Sequence, residues 1–434
     1  MQTVCLVGKP NVGKSSIFNR LIKENKSIIM DTPGVTRDRI YGKCNYNDKS
    51  FLVIDTGGIS IGSDDFAKDI LMQATLAIDE ADLVLFVVDG INDIDASDLK
   101  VAEILHKSNK KVIVVVNKID NKERMENIYN FYELGFGEII GISASHKIGF
   151  DNLLNMITND LPEEEIDTDT SLKFSIIGRP NVGKSSLINA LLNENRAIVS
   201  DVAGTTRDAI DTKFKYNHQD ITVIDTAGMR KKGRIYESVE KYSLIRSLKA
   251  IDRSDVCVLV IDATTGIIEH DKHIASYALD AGKGIVIAVN KWDTIKNPDQ
   301  DIRKWKEEIK NEFQFIPYVH VVFLSAVTKK RVSTLMPEVL LAYENNRKEV
   351  KTSLLNNIIM EAVSLHNPPS YKGKRLKIYF VSQTGYCPPK FTFSVNNKGL
   401  VHFSYERYLE NQIRENIDFD GTPIILQFKN KNDK

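Results

Sequence analysis

Residues Gly8–Ser16 read GKPNVGKSS, and residues Gly178–Ser186 read GRPNVGKSS. One nine-residue stretch stands twice in the chain, changed only at its second position. Each copy satisfies G-x-x-x-x-G-K-[ST], with a short apolar run ending in glycine before it (TVCLVG, FSIIG). A helical spacing of apolar residues follows: Ile17, Phe18, Leu21 and Ile22 in one copy, Leu187, Ile188, Leu191 and Leu192 in the other. A glycine-rich turn between strand and helix points successive backbone N–H groups at one anion. Both loops are therefore expected to cradle phosphates, through Gly8, Lys9, Pro10, Asn11, Val12 and Gly13 and through Gly178, Arg179, Pro180, Asn181, Val182 and Gly183. Lys14 and Lys184 would reach the β/γ oxygens, and Ser15 and Ser185 would ligate Mg²⁺.

The duplication extends well beyond the loop. At the same offset of 170, DTPGVTRD (Asp31–Asp38) recurs as DVAGTTRD (Asp201–Asp208), and VIDTGG (Val53–Gly58) as VIDTAG (Val223–Gly228). VVVNKID (Val114–Asp120) recurs as IAVNKWD (Ile287–Asp293), and ISAS (Ile142–Ser145) as LSAV (Leu324–Val327), the offset growing with small insertions. Apolar runs such as LVLFVVD, KVIVVVN, VCVLVID and GIVIAVN alternate with helical stretches. The expected class is α/β: two tandem P-loop domains, each with a doubly wound, mostly parallel sheet. The expected boundaries are 1–161 for the first domain, an acidic linker at 162–171, 172–347 for the second domain and 348–434 for a third region.

The downstream motifs supply the rest of two nucleotide sites. Asp55 and Asp225 end apolar strands and fit the acidic residue that holds Mg²⁺. Thr56, Gly57, Gly58 and Ile59, and Thr226, Ala227, Gly228 and Met229, would approach the γ-phosphate. Thr36 and Thr206 are expected to close over Mg²⁺. The base is chosen by Asn117, Lys118, Ile119 and Asp120 and by Asn290, Lys291, Trp292 and Asp293. A carboxylate accepts both donors of guanine, N1–H and the 2-amino group, and would be left unpaired against adenine. Asp120 and Asp293 are thus the guanine readers, Asn117 and Asn290 brace the base and the loop, and Trp292 packs beside it. The backbone of Ser143-Ala144 and of Ser325-Ala326 would donate to guanine O6. GTP and GDP, two sites per chain, are the expected ligands.

Composition narrows the setting. The chain has 434 residues, 42% hydrophobic and 27% charged, with a formal net charge of +0. That argues against a broad nonspecific grip on nucleic acid and leaves room for local basic patches. Cys5, Cys44, Cys257 and Cys387 are scattered and form no CxxC, as expected in a reducing compartment. No apolar run approaches the ~20 residues that span a bilayer, and the N-terminus carries no basic leader, so a cytoplasmic protein is expected. Past about Arg347 the repeat stops. The rest reads as a helix (Lys348–His366), strands at RLKIYFV and CPPKFTFSV, a helix at YERYLENQIREN and a last strand at TPIILQF: a small α+β domain of order αββαβ. His270 and His273 lie three apart with no third ligand at metal spacing, so they read as a polar helix face.

Two complete repeats in one chain resemble the Era-like GTPases and, more closely, the Der (EngA) family of double-Era GTPases. The tail agrees, since NPPSYKGKRLKIYFVSQTGYCPPKF, HFSYERYLENQIRE and GTPIILQF look like that family's KH-like domain. The resemblance covers nearly the whole chain. It implies a GTPase acting late in assembly of the large ribosomal subunit, with rRNA and ribosomal proteins as partners, no DNA or membrane partner, and a monomeric state. One departure stands out: no GxxG loop, the usual RNA clamp of a KH domain, occurs between Lys348 and Lys434. A docking role is the alternative for this domain, and Lys372, Lys374, Arg375 and Lys377 read either as a basic patch or as a solvated face.

Ras-like enzymes orient the attacking water with a glutamine where this chain has Ile59 and Met229. The expectation is slow intrinsic hydrolysis, ~10⁻⁴–10⁻² s⁻¹. Related GTPases with an asparagine at the fourth loop position use K⁺ to stabilise transition-state charge, and Asn11 and Asn181 hold that position. MRKKGRIYE (Met229–Glu237) places Arg230, Lys231, Lys232 and Arg234 where a nucleotide-sensitive segment is expected, a candidate switch contact. Two other readings compete: a GTP-binding scaffold that barely turns over, and a membrane-associated signalling GTPase. The absence of a lipidation motif weighs against the second.

Overall fold

A computed structural model describes residues 2–23, 29–30, 40–47, 49–56, 75, 77–79, 81–161, 171–192, 197–199, 211–224, 247–368, 370–371 and 374–431. The chain divides into two compact units, 1–168 and 169–434.

Among the described residues, the first unit holds a seven-stranded sheet. Its strands are β1 (Gln2–Val7), β2 (Ile29–Met30), β3 (Ile40–Tyr46), β4 (Lys49–Asp55), β5 (Leu83–Asp89), β6 (Lys111–Asn117) and β7 (Glu138–Gly141), in the order β2-β3-β4-β1-β5-β6-β7. β4, β1, β5, β6 and β7 run parallel, and β2 and β3 add antiparallel to one edge. The continuous apolar runs follow from burial on both faces. Val4, Leu6, Leu83, Leu85, Val87, Ile113 and Val115 pack into one core. Their neighbours Cys5, Val7, Val84, Phe86, Val88, Val114 and Val116 pack into another across the sheet, as the period of two requires.

The second unit repeats this sheet with β8 (Leu172–Ile177), β9 (Ala197–Val199), β10 (Thr212–Tyr216), β11 (Gln219–Ile224), β12 (Val256–Asp262), β13 (Gly284–Asn290) and β14 (His320–Phe323). The order β9-β10-β11-β8-β12-β13-β14 matches strand for strand. Parallel strands put their carboxyl ends on one edge, and there lie both GKS loops and both NKxD segments.

The C-terminal region follows the expected αββαβ order, with shifted limits. Its first helix is Thr352–Leu365, not Lys348–His366. Residues before it are tied elsewhere: Val350 N–H donates to the Gln383 side chain and Lys348 Nζ to the Asp418 carbonyl. Arg375 of the expected strand pairs instead, together with Lys374, against Ser370–Tyr371, and Leu376 is buried between this pair and the strand Ile378–Gly385. Ile378–Gly385 runs antiparallel to Lys390–Val395, which runs parallel to Ile425–Asn430. Leu355 and Ile359 of the first helix and Leu409 and Ile413 of the helix Phe403–Asn416 cover Val381, Phe391, Phe393 and Val395.

Within the second unit this region docks at the amino-terminal end of β13, away from the nucleotide edge. Ile285 N–H donates to the Gly421 carbonyl (2.7 Å), and Gly421 N–H donates to the Tyr318 carbonyl (2.8 Å). Gly421 sits at φ +73°, and a Cβ there would lie 2.8 Å from that of Ala342, so the approach requires glycine. The Arg414 guanidinium lies 3.8 Å from the Tyr318 ring centroid, and Arg347 pairs with Asp255 at 2.8 Å. Among the described residues, no helix is long and apolar enough to cross a membrane.

Candidate functional site

The GKS loops leave β1 and β8 with left-handed residues at their tips. Asn11 and Asn181 have φ of 66° and 63°, and Gly13 and Gly183 have φ of 98° and 99°. The fourth-position asparagines are exposed. The conformation at Gly13 and Gly183 is obligatory for a second reason. A Cβ on Gly13 would meet Asn117 Nδ2 at 2.2 Å, and one on Gly183 would meet Asn290 Nδ2 at 2.2 Å. These asparagines end β6 and β13 and stitch the site together. Asn117 Nδ2 donates to the Val12 carbonyl (2.8 Å) while its Oδ1 accepts from Ala144 N–H (3.0 Å). Asn290 repeats both bonds, to Val182 and from Ala326, at the same distances. The Ala144 and Ala326 amides expected to face guanine O6 are thus engaged by the bracing asparagines. Val12 and Ile119 and their counterparts Val182 and Trp292 face inward, Trp292 against Phe323 and Trp305.

Lys14 is buried and Lys184 half-buried, each against its own loop. Lys14 Nζ donates to the carbonyls of Gly8 (2.9 Å) and Lys9 (2.8 Å), and Lys184 Nζ to those of Gly178 and Arg179. Burial pushes both ammonium groups down to about 8. Ser15 Oγ donates to Asp55 Oδ2 at 2.7 Å, so a hydroxyl and a carboxylate converge beside the loop. This is the hard oxygen set that Mg²⁺ takes. Thr56 Oγ1 turns away, to the Leu6 carbonyl. Gly57, Gly58, Ile59, Thr36, Thr206, Asp225, Thr226, Ala227, Gly228 and Met229 lie outside the described residues, as do Arg230–Arg234 and Lys372.

At the base end the two copies differ. The Asp120 carboxylate accepts from Ser143 Oγ (2.6 Å) and from Arg124 Nη1 (2.9 Å). Asp293 is exposed, and among the described residues no hydrogen bond or ion pair holds it. Ser325 Oγ serves its own turn, accepting from Thr328 N–H.

The structure adds residues that the motifs did not flag. Lys118 Nζ pairs with Asp89 Oδ2 at 2.7 Å, and Lys291 Nζ with Asp262 Oδ2 at 2.5 Å. Burial works to raise each carboxyl. The lysine partner outweighs it, helped by Ile91 and Asn92 for Asp89 and by Thr264 for Asp262, so both end below the usual range. Asp89 and Asp262 are the last residues of β5 and β12, and their shared offset of 173, that of NKxD, was a signal in the sequence. Among the described residues, no group of three or more His, Cys, Asp or Glu side chains comes together as a metal site.

A family model described as a 50S ribosome-binding GTPase matches the chain twice, over residues 3–118 and 173–291. A second, described as the KH-domain-like C-terminal region of EngA bacterial GTPase enzymes, matches residues 349–429. The chain is 53% identical over 426 residues to GTPase Der of Oceanobacillus iheyensis, covering 98% of each protein. It is 51% identical over 423 residues to GTPase Der of Listeria innocua, covering 97% of each. Against GTPase Der of Staphylococcus aureus it is 51% identical over 431 residues, covering 99% of each.

Proposed function

We propose that this chain, which belongs to the Der (EngA) family of tandem GTPases, is a nucleotide-dependent factor in late assembly of the large ribosomal subunit. It is a GTPase that binds GTP and GDP, and in this reading it does so at two sites. The observation that carries two sites is the duplicated asparagine bridge, with Asn117 and Asn290 each joining a phosphate loop to an SA loop through the same two bonds. The description of the family matched twice, a 50S ribosome-binding GTPase, supports the large subunit as partner.

Each residue has a role in the scheme. Loop amides and Lys14 or Lys184 bind the β/γ-phosphates, and Asp120 or Asp293 reads guanine. Ser15, Asp55 and Thr36 would hold Mg²⁺ in the first domain, and Ser185, Asp225 and Thr206 in the second, where it would supply neutralising charge to the transferring phosphoryl group. Asn11 and Asn181 would hold K⁺, which would supply positive charge to the transition state. Ile59 and Met229 leave water unoriented, and turnover is slow. The domains divide at 161, 171 and 347, the protein works as a cytoplasmic monomer, and Arg230–Arg234 and the Lys374–Lys377 strip contact rRNA. Lys374, Arg375 and Lys377 are exposed, as such contact requires.

Sedimentation with purified large subunits tests the assembly role, using a non-hydrolysable GTP analogue against GDP at two salt concentrations. The GTP state should co-sediment better, and binding should fall as salt rises because phosphate contacts release counterions. Replacing Arg230, Lys231, Lys232 and Arg234 by alanine should narrow the gap between states. Equal co-sedimentation in both states would make the chain a nucleotide-holding scaffold instead of a switch.

A further inference from the structure

We propose that Asp98 and Asp271 are positioning residues of the two phosphate loops, acting through the one residue that differs between them, Lys9 and Arg179; the inference rests on the two-site reading above. Lys9 Nζ leaves the loop on its outer side and bridges Asp95 Oδ2 (2.7 Å) and Asp98 Oδ2 (2.8 Å). Arg179 takes the same path with different chemistry. Its Nε meets Asp271 Oδ1 at 3.1 Å, and its Nη2 donates to Thr265 Oγ1 (3.1 Å) and the Gly266 carbonyl (2.9 Å). Asp98 is 1% exposed and Asp271 0%. A carboxylate this deep needs a partner, and in both copies that partner is the second residue of the phosphate loop.

The two aspartates occupy one structural position. Each is the third residue of a helix, Ala96–Lys107 or Glu269–Asp280, and accepts the N–H of the cap residue, Asp95 or Ile268. Each also stands nine residues after the aspartate that holds the NKxD lysine, Asp89 or Asp262. One short connection thus carries two carboxylates, the first fastened to the base motif and the second to the phosphate loop. A helix cap alone explains neither the burial nor the cation. Capping asks only for an oxygen near backbone N–H groups, and a serine or glutamine supplies one. Here an ammonium in one copy and a guanidinium in the other satisfy the same acid, as a retained tether would.

The consequence follows from where the tether is attached. Lys14 Nζ rests on the Lys9 carbonyl, and Lys184 Nζ on that of Arg179, so the tethered residue also positions the catalytic lysine. The loop keeps left-handed turns at Asn11 and Gly13, with Asn117 holding it from within and Lys9 from without. A looser loop has to be ordered by each arriving nucleotide, with or without a γ-phosphate. That loss is uniform binding, which raises KM and leaves kcat nearly unchanged.

The test uses the full chain carrying Lys184→Ala, so that the first site alone reports. Calorimetry with GDP and with a GTP analogue should give roughly tenfold weaker binding for Lys9→Met, equal for both nucleotides, with KM rising by that factor and kcat within about twofold. Lys9→Arg should bind as the parent does, since arginine holds the position in the second copy. Adding Asp98→Asn to Lys9→Met removes the stranded charge and keeps the cap, so melting temperature should recover while affinity should not. Unchanged affinity in Lys9→Met, a loss confined to kcat, or a Lys9→Arg chain as weak as Lys9→Met overturns the inference. If the Lys184→Ala chain binds no nucleotide at all, the two-site reading fails; the same inference is then decided by Arg179→Met against Arg179→Lys in the chain with Lys184 restored.

Discussion

The two GTPase halves differ least where nucleotide would touch them and most in what stands behind. Asn117 and Asn290 make the same pair of bonds at 2.8 and 3.0 Å, and the glycines beneath them share φ to within a degree. Behind that surface the halves diverge. A lysine on two carboxylates faces an arginine on a carboxylate, a hydroxyl and a carbonyl. Asp120, the proposed guanine reader of the first half, is tied down by Arg124 and Ser143, whereas among the described residues nothing holds its counterpart Asp293. The second half also carries the C-terminal domain on the far end of its sheet. Duplication has kept the contact atoms and varied their supports, so the halves should share a chemistry and differ in how firmly it is held.

The largest effect should come from breaking what the halves share. Asn117→Ala removes two bonds from a residue 2% exposed and leaves the Val12 carbonyl and Ala144 N–H without them. Each buried group so stranded costs about 1–3 kcal/mol, so binding at the first site should fall by roughly 100-fold. Asn290→Ala should do the same at the second, each leaving the other site intact. Calorimetric stoichiometry dropping from two to one in both variants is the expected result. A change in only one of them would show that the matching geometry does not carry matching function.

A middle-sized effect should appear with pH, in parallel at both sites. Lys14 and Lys184 sit at about 8 in the free chain because burial disfavours their charge. Bound phosphate restores that charge, so nucleotide binding takes up a proton wherever the free lysine has lost one. Affinity should be flat below pH 8 and fall up to about tenfold per unit above it. Stability of the free chain should move oppositely: between pH 8 and 10.5 the unfolded lysines hold more protons than the folded ones, so these groups favour the fold increasingly as pH rises. Fluorescent-nucleotide titrations from pH 7 to 9.5 check the first slope and thermal melts the second. Divergent slopes at the two sites would break the equivalence of the lysines.

How much of this was legible follows from how local each feature is. The GKS loop and NKxD are contiguous, and the strand–turn–helix pattern around them is written in neighbouring residues, so the fold and the placement of these motifs on it could be read directly. Asp89, Asp98 and Asp271 could not, because their partners lie 29 to 92 residues away and meet only once strands β5 and β12 lie beside the loops. LVLFVVD and VCVLVID look like buried strands that happen to end in acid, and ASDLKVAEILHK looks like an ordinary capped helix. Only the common offset of 173 betrays them, and it has meaning only after the repeat is recognised. Arg375 misled for the opposite reason: it runs on in sequence into the β-prone stretch Ile378–Val381, but it pairs with Ser370 instead, and buried Leu376 separates the two strands.

The smallest expected effect sharpens the contrast at the base. In the first half the helix Lys122–Glu126 starts directly after NKID, and its Arg124 stands four residues past Asp120 with the guanidinium on Oδ2 and on the Lys118 carbonyl. In the second half Asp293 sits in the short 3-10 helix Trp292–Thr294, and the next α-helix starts only at Pro298. A carboxylate has about four acceptor sites; Ser143 and Arg124 use two on Asp120, which leaves room for the paired donors of guanine. The ion pair is half-exposed, so its contribution is that of a surface pair, well under about 1 kcal/mol after screening. Arg124→Ala should therefore weaken guanine nucleotide at the first site by about two- to threefold, less at high salt, and leave the second unchanged. Replacement of Asn297, which follows Asp293 at the same distance, should do nothing. Measured by competition with a labelled guanine nucleotide at low and high salt, an equal loss at both sites would mean that Arg124 acts on the whole fold, and a gain at the first would mean that it competes with the base for Asp120.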